Sequence, residues 1–170
     1  MIPATCLADI ETAAAAVLPH AVRDFVAGGA GDERGVDANL AALRAVQVVP
    51  RVLRDVSVRS AQRTLLGRAV TLPLVVAPVA YQRLLHPDGE LATARAAAAA
   101  GVPFTVPMLS SVEIETVAGT GADLWLQLYW LRDRAITADL IDRAVAAGCR
   151  AIMLTVDVPQ LGRRLRDVRN

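Results

Sequence analysis

The stretch AIMLTVDVPQLGRR, residues 151–164, decides how the rest of the chain is interpreted. A short apolar run after the helix-stopping Gly148 is typical of a strand buried on both faces, as found in parallel sheets flanked by helices. Residues two apart in a strand project to one face, so Thr155 and Asp157 are predicted to lie together at its carboxyl end. Alternatively, Asp157 only opens the following turn, because Asp is common before loops containing proline and glycine.

The same pattern recurs upstream. Apolar runs at 72–80, 103–107 and 124–130 predict three more strands, and the intervening segments 89–100, 110–118 and 137–147 predict helices. Strand–helix units repeating every 25 to 30 residues or so favour a parallel sheet with right-handed crossovers. The sheet can be open and doubly wound or part of a barrel. An eight-unit barrel needs roughly 250 residues, so this chain would supply four of eight units. No helix is predicted after the fourth strand.

The N-terminal part has a different character. Residues 7–45 are predicted to be helical, with breaks at Pro19 and at the glycine-rich segment 28–35. That segment lacks a nucleotide-binding fingerprint, because it follows a helix and Arg34 stands where a third glycine is required. Residues 48–68 predict a connecting region with short strands. We therefore expect an N-terminal helical and connecting segment over 1–70 and an α/β half-barrel over 71–170.

Composition narrows the function classes. The chain has 54% hydrophobic and 21% charged residues and a formal net charge of +1, which is typical of a soluble globular protein without a nucleic-acid partner. Cys6 and Cys149 lack metal-site spacing and predict reduced thiols, no metal and a cytoplasmic location. Neither a secretory signal nor a membrane-spanning segment is predicted.

Polar residues converge at one predicted mouth. The third strand places Trp125, Gln127 and Tyr129 on one face, next to Thr155 and Asp157 of the fourth. Barrel interiors are normally filled by branched aliphatic residues, and a buried polar group without a partner is costly. The pattern therefore predicts either a ligand site or a polar layer whose members satisfy one another, and spacing alone leaves both open.

Other candidates are weaker. Small residues at 78–80 let a ligand approach the backbone, although an ordinary strand end looks the same. Ser110 with Glu113 predicts a capping box, which explains the serine without a ligand, although a helix N-terminus can also bind an anion. His86 is interpreted as a turn or capping residue more readily than as a catalytic one, and His20 carries no functional signal.

Arginines follow the fourth strand directly. Arg163 or Arg164 can reach inward to pair with a substrate carboxylate, because the guanidinium fork matches that group bidentately. A solvated basic loop is the alternative, and it is the one we prefer for Arg166 and Arg169.

Four stretches, residues 77–101, 109–118, 127–134 and 154–170, resemble the FMN-dependent 2-hydroxy acid oxidases and dehydrogenases, the glycolate oxidase and lactate dehydrogenase group. Similarity to the 4-hydroxymandelate oxidases among them is especially high in the motifs VAPVAYQRL, QLYWLRD and TVDVP. The resemblance extends from about Leu7 to Asn170. It implies the (β/α)8 TIM barrel fold with FMN bound at its carboxyl-terminal mouth.

The resemblance also implies roles for individual residues. Flavin contacts are implied for the backbone at Pro78, Val79 and Ala80 and for the side chains of Ser110, Gln127 and Thr155. Substrate contacts are implied for Tyr129 and Arg164, and Asp157 would hold a catalytic histidine. Phe25 stands where many members have a substrate-binding tyrosine, and the exchange suits an aromatic substrate.

The implied reaction is oxidation of an (S)-2-hydroxy acid, mandelate-like, to the 2-oxo acid by FMN in a homo-oligomeric full-length protein. The family continues for about as many residues again, and that part holds its catalytic histidine, second substrate arginine and phosphate site. We therefore expect the 170-residue chain to be inactive alone. Alternatives are a non-catalytic half-barrel that self-associates and another flavin barrel such as an isomerase, against which Tyr129, Asp157 and Arg164 argue.

Overall fold

A computed structural model describes residues 4–170. The chain divides into two compact units. One, the helical unit, comprises Met1–Arg54 with Gln160–Asn170, and the other, the sheet unit, comprises Asp55–Pro159. The predicted division between residues 70 and 71 stays a prediction.

The helical unit contains four helices: α1 (Leu7–Val17), α2 (His20–Ala27), α3 (Arg34–Arg44) and α7 (Leu165–Arg169). The predicted helical character of residues 7–45 is confirmed, with breaks at the expected proline and glycine positions. Gly28 ends α2, and its N–H donates to the carbonyl of Asp24 over 2.8 Å. Gly28 has a φ of −76°, so this cap uses extended backbone rather than the left-handed form.

Helix α7 was not predicted from the sequence. Arg166, expected in a solvated loop, lies in this helix and forms ion pairs with Asp24 at 3.4 Å and Glu33 at 2.5 Å. A hydrogen bond from Asn170 and the charges of His20 and Arg166 lower the pKa of the Asp24 carboxyl. The partners lie more than 130 positions apart in sequence, so local pattern gives no sign of them.

The sheet unit begins with an antiparallel hairpin of β1 (Arg63–Leu65) and β2 (Arg68–Val70), which confirms short strands in the connecting region. A parallel three-stranded sheet follows, in the order β3 (Phe104–Val106), β4 (Leu124–Tyr129) and β5 (Ala151–Thr155). The helices of this unit are α4 (Glu90–Ala100), α5 (Ile114–Ala118) and α6 (Arg134–Ala146). Consecutive parallel neighbours with a helix between them are the repeating unit of a barrel wall.

The first of the four predicted strands, 72–80, is wrong as a continuous strand. Only Val76 forms a parallel bridge, to Phe104, with its N–H donating to the carbonyl of Pro103 over 2.9 Å. Pro73 and Pro78 flank this bridge and have no N–H to donate. Pairing is therefore limited to one residue, although the segment still runs beside β3.

Two helix starts also differ from prediction. Helix α5 begins at Ile114, four residues later than predicted, because the preceding residues form turns. Helix α6 begins at Arg134, earlier than the predicted start at residue 137, because the Asp133 side chain accepts the Ala135 N–H over 2.9 Å and caps the first turn.

The core lies between the sheet and its helices. Phe104, Val106 and Leu124 are buried in one cluster with alanines of α4, and Leu126 and Leu128 are buried in a second with α6. Cys149 packs against both clusters, and burial raises the pKa of its thiol to about 11. The alternate side chains of β4, including Gln127, therefore point to the opposite face of the sheet. Within residues 4–170, no helix is long and apolar enough to cross a bilayer.

Candidate active site at the strand ends

A cavity of about 490 Å³ lies at the carboxyl ends of β4 and β5, wholly within the sheet unit. Its lining includes Pro78, Ala80, Pro107, Leu109, Gln127, Tyr129, Met153, Thr155, Asp157 and Val158. The predicted convergence of Gln127, Tyr129, Thr155 and Asp157 on one opening is confirmed. Parallel pairing explains it, because the register sets Tyr129 beside Thr155.

Gln127 is the buried centre of this cavity wall, with only 4% of its surface exposed. Its Oε1 accepts the backbone N–H of Met108 over 3.0 Å, and its Nε2 donates to Thr155 Oγ1 over 2.8 Å. The amide orientation is thereby fixed by two different elements. The second N–H of Gln127 and the proton of the Thr155 hydroxyl stay available as donors.

Tyr129 and Asp157 form the outer, polar part of the cavity. Tyr129 ends β4 and Asp157 lies two residues beyond β5, and both residues are exposed. The Tyr129 backbone N–H donates to Met108 Sδ over 3.4 Å, but within residues 4–170 neither its phenol nor the Asp157 carboxylate is hydrogen-bonded. The deep residues thus hold one another in place and keep one donor each, whereas the outer two keep their full hydrogen-bonding capacity.

The segment 78–80 reaches the cavity in part. Pro78 and Ala80 line it, and Val79 does not. The Val79 carbonyl instead accepts a hydrogen bond from Gln82 Nε2 over 3.1 Å. The backbone of this segment is therefore held from behind while its small side chains face the opening.

Ser110 lies apart from the cavity. Its hydroxyl donates to the Val112 carbonyl over 2.7 Å and accepts the Val112 N–H over 3.2 Å, and it lines a different cavity of about 240 Å³. The predicted capping box with Glu113 is wrong, because Glu113 is itself the cap residue and makes no side-chain capping bond. A flavin contact for Ser110 stays a prediction.

Phe25 and Arg164 lie together in the helical unit. The Arg164 guanidinium carbon stands 5.2 Å from the centre of the Phe25 ring. Its Nη2 donates to the carbonyls of Phe25 and, over 3.0 Å, Gly28, at the carboxyl end of α2. Its Nε lies 3.1 Å from Asp167 Oδ2, a contact between opposite charges without hydrogen-bond geometry. A cation favours the negative end of a helix dipole, so Arg164 stabilises α2 in this arrangement.

The two histidines have local partners. His86 Nδ1 accepts the Asp88 N–H over 3.1 Å, which confirms its interpretation as a turn residue. His20 lies 3.3 Å from Asp24 in the first turn of α2. Neither lines the cavity at the strand ends. Within residues 4–170, no cluster of three or more histidine, cysteine and acidic residues could hold a metal ion.

Sequence reasoning missed a buried carboxylate behind the cavity. Glu90 begins α4 and is completely buried, and its Oε1 accepts hydrogen bonds from Gln82 and Ser111. An acidic residue in the first turn of a helix is common on a solvated surface. The sequence contains no local sign that this one is enclosed.

Parallel strands that end in hydrogen-bonding side chains beside an open cavity define the enzyme-site class of (β/α)8 barrels. Residues 14–170 match the family described as FMN-dependent dehydrogenase, and the chain belongs to that family. This confirms the predicted resemblance and, with the structural neighbours below, the barrel rather than the open sheet.

Individual relatives agree with that assignment. The 4-hydroxymandelate oxidase of Amycolatopsis orientalis is 56% identical over 96% of this chain and 46% of its own length. Glycolate oxidase 3 of Arabidopsis thaliana is 42% identical over 98% of this chain and 45% of its own length. A mandelate oxidase mutant solved with the C4a-OH-FMN adduct superposes with a TM-score of 0.92 at 55% identity, covering 95% of this chain and 49% of that one. The chain thus spans about half the length of the curated relatives it matches.

Proposed function

We propose that this chain supplies part of an FMN site that oxidises an (S)-2-hydroxy acid with an aromatic side chain to the 2-oxo acid. The observation that carries the proposal is the shared cavity of Gln127, Tyr129, Thr155 and Asp157 at the strand ends in a chain of the FMN-dependent dehydrogenase family. The similarity to a 4-hydroxymandelate oxidase supports the aromatic substrate.

The cavity residues fit a flavin ring. A volume of about 490 Å³ lies within the roughly 300–1,000 Å³ of small-molecule pockets. Pro78 and Ala80 offer a small, apolar approach, which suits the face of a flat ring. The Gln127 amide and the Thr155 hydroxyl, fixed by their mutual 2.8 Å hydrogen bond, offer donors for the carbonyl and nitrogen atoms at a flavin's polar edge.

When bound, FMN supplies the two-electron acceptor for the substrate's α-hydrogen. Tyr129, whose phenol is exposed at the cavity, would hold the substrate by a hydrogen bond. Asp157 would orient a histidine and stabilise its imidazolium when the histidine takes the hydroxyl proton, as carboxylates do in catalytic triads. Neither histidine of this chain lines the cavity, so that base must come from elsewhere.

Phe25 and Arg164 are proposed as substrate residues. Their support is the family resemblance and the packing of the guanidinium on the ring, 5.2 Å from its centre. An arginine recognises a carboxylate bidentately, and a phenylalanine offers an apolar surface to an aromatic substrate. A cytoplasmic location, a homo-oligomeric full-length protein and the absence of nucleic-acid partners stay predictions.

Flavin binding is tested by titrating FMN fluorescence with the 170-residue chain. We expect saturable quenching, and we expect Thr155→Val to weaken binding about 3- to 10-fold, the effect of losing one hydrogen bond. Thr116→Val, at an exposed position of α5, is the matched control and should bind as the parent chain does. No quenching, or equal affinity in both variants, would contradict the proposed role of the cavity.

Turnover is a separate test. The chain is mixed with (S)-mandelate, FMN and an electron-accepting dye, and 2-oxo acid is quantified. We expect no turnover above the background without protein, because the cavity lining contains no imidazole to accept the hydroxyl proton. Measurable product would show that this account of the base is wrong.

A second candidate is a non-catalytic half-barrel that self-associates. Strand β5 is an edge strand of its sheet, and its Ile152 and Leu154 are 44% and 45% exposed. An apolar strand edge is a template for pairing with another chain. Analytical ultracentrifugation separates the two readings: a concentration-dependent oligomer without flavin binding favours this one, and a flavin-binding monomer counts against it.

A further inference from the structure

The backbone directly after the Pro78–Ala80 segment has an unusual conformation. Tyr81 has a φ of +57°, in the left-handed region. That region is unfavourable for a bulky L-residue, and such residues persist only where the surroundings hold them. A short 3-10 helix, Gln82–Leu84, follows at once. Something must therefore fix this turn beside the cavity.

Two side chains from other elements cap the short helix. The Gln82 N–H donates to Glu90 Oε1 over 3.2 Å, and the Arg83 N–H donates to Ser111 Oγ over 3.1 Å. The first N–H groups of a helix have no partner within it. Glu90 and Ser111 thus satisfy the donors that follow the left-handed Tyr81.

The same carboxylate oxygen also holds the loop after β3. Glu90 Oε1 accepts the Ser111 N–H over 3.0 Å and the Ser111 hydroxyl over 3.2 Å. One buried oxygen therefore joins the start of α4, the turn after residue 80 and the loop at Ser111. The backbone adds a direct link, because the Tyr81 N–H donates to the Leu109 carbonyl over 3.1 Å.

A second contact from α4 reinforces this arrangement. The Thr93 hydroxyl donates to Gln82 Oε1 over 2.6 Å, and Gln82 Nε2 donates to the Val79 carbonyl over 3.1 Å. Helix α4 thus holds both the backbone and the side chain of Gln82, from Glu90 and Thr93 one helical turn apart, and the Gln82 amide in turn holds Val79 on the other side of Tyr81. Ala80, which directly precedes Tyr81, and Leu109, which accepts the Tyr81 N–H, both line the cavity.

We propose that Glu90 is a positioning residue: its carboxylate fixes the Pro78–Gln82 segment against the loop at Leu109–Ser111, so that both present the cavity wall that receives the flavin. This rests on the proposed function. Burying a carboxylate is costly unless its hydrogen bonds repay it, and Glu90 Oε2 has no partner within residues 4–170. Packing alone would be served better by an apolar side chain.

The test compares Glu90→Gln with Glu113→Gln, which removes an exposed carboxylate near the same loop. Amide hydrogen exchange is followed by NMR in the 170-residue chain without flavin, and FMN affinity is measured by fluorescence. We expect Glu90→Gln to speed exchange about tenfold at both Gln82 and Ser111 and to weaken FMN binding at least about fivefold, because a neutral acceptor replaces a charged one. Glu113→Gln should change neither.

Exchange that rises only in the first turn of α4 would overturn the proposal. So would loosened loops with unchanged FMN affinity. If the parent chain binds no FMN, the proposed function fails, while the exchange pattern still decides whether Glu90 holds the two loops. Should Glu90→Gln not fold, Ser111→Ala keeps the carboxylate and removes one donor, and it must show the same two-loop pattern at smaller size.

Discussion

In the helical unit the one buried residue among its helices is a carboxylate, Asp24, whereas the largest completely buried side chain of the sheet unit is Phe104. Helices α1, α3 and α7 contain no buried residue. The sheet unit instead encloses two apolar clusters. The helical unit thus depends on directed contacts between charges, and the sheet unit on apolar area removed from water.

The two units should therefore respond differently to salt and to acid. Ion pairs near a surface weaken as salt or acid is added, whereas apolar burial responds little to either. Arg166, with its partners Asp24 and Glu33, should therefore make α7 sensitive to both. The sheet unit, with the cavity in its wall, should keep its structure over a wider range.

The largest effect is expected at the apolar core. Phe104→Ala removes a completely buried ring and should lower the free energy of unfolding by about 3–5 kcal/mol. Urea denaturation followed by tryptophan fluorescence measures it, since both tryptophans lie in or beside β4. Leu43→Ala in α3, where Leu43 is 73% exposed, should change it by less than about 0.5 kcal/mol. Equal decreases in the free energy of unfolding for Phe104→Ala and Leu43→Ala would contradict the contrast between the units.

A smaller, salt-dependent effect is expected in the helical unit. Arg166→Gln removes the ion pairs with Asp24 and Glu33 and should speed amide exchange across α2 and α7 at low salt, with little difference from the parent chain near 1 M NaCl. Arg169→Gln in the same helix is the matched control. If Arg166→Gln speeds exchange equally at low and at high salt, Arg166 stabilises these helices by packing rather than by charge.

Acid should act on the same contacts. The pKa of Glu33 is lowered by hydrogen bonds from Arg166 and the Gly29 N–H, and the pKa of Asp24 is lowered chiefly by Asn170. Groups with a lowered folded-state pKa contribute stability that is present above their ordinary values, here 4.5 and 3.8, and is lost as the pH falls through the lowered ones. Protection of α7 in the parent chain should therefore fall below about pH 4, and in Arg166→Gln it should fall less.

The smallest effect is expected at a surface pair of the sheet unit. Arg143 donates to both oxygens of Glu115, over 2.7 and 2.9 Å, and these hydrogen bonds lower the pKa of Glu115 from 4.5 to about 2. The stability that this ion pair contributes is present above pH 4.5 and is lost as the pH falls towards 2. Both side chains are exposed, so Glu115→Gln should lower the Tm of the sheet unit only slightly at pH 7, and the difference should vanish near pH 2. A large decrease in Tm at pH 7 would show that contacts between charges also stabilise the sheet unit.

Much of the fold was predictable because its signals are local. Apolar runs and the stops at Gly101 and Gly148 located β3, β4, β5 and the ends of α4 and α6 to within a few residues. The period of two along a strand placed Gln127 and Tyr129 on one face, and parallel register brought Thr155 beside them. These rules predicted that the polar side chains converge, whereas their roles as flavin and substrate contacts were implied only by the family resemblance.

The remainder depended on contacts between distant residues. Helix α7 is short and charged, and its partners Asp24 and Glu33 lie far away in sequence. The burial of Glu90 arises from loops at Gln82 and Ser111 that the sequence does not connect. Ser110 matched a capping pattern, but its hydroxyl bonds the Val112 backbone instead. Such competition between local motifs is settled only by tertiary packing.

The thiol of Cys149 rests between the two apolar clusters, with its pKa raised to about 11. Only the thiolate attacks alkylating reagents, so this cysteine should react slowly while the clusters stay closed, whereas Cys6 is exposed and should react at once. The rate at which Cys149 is labelled after Cys6 therefore reports how often the interior of the sheet unit opens.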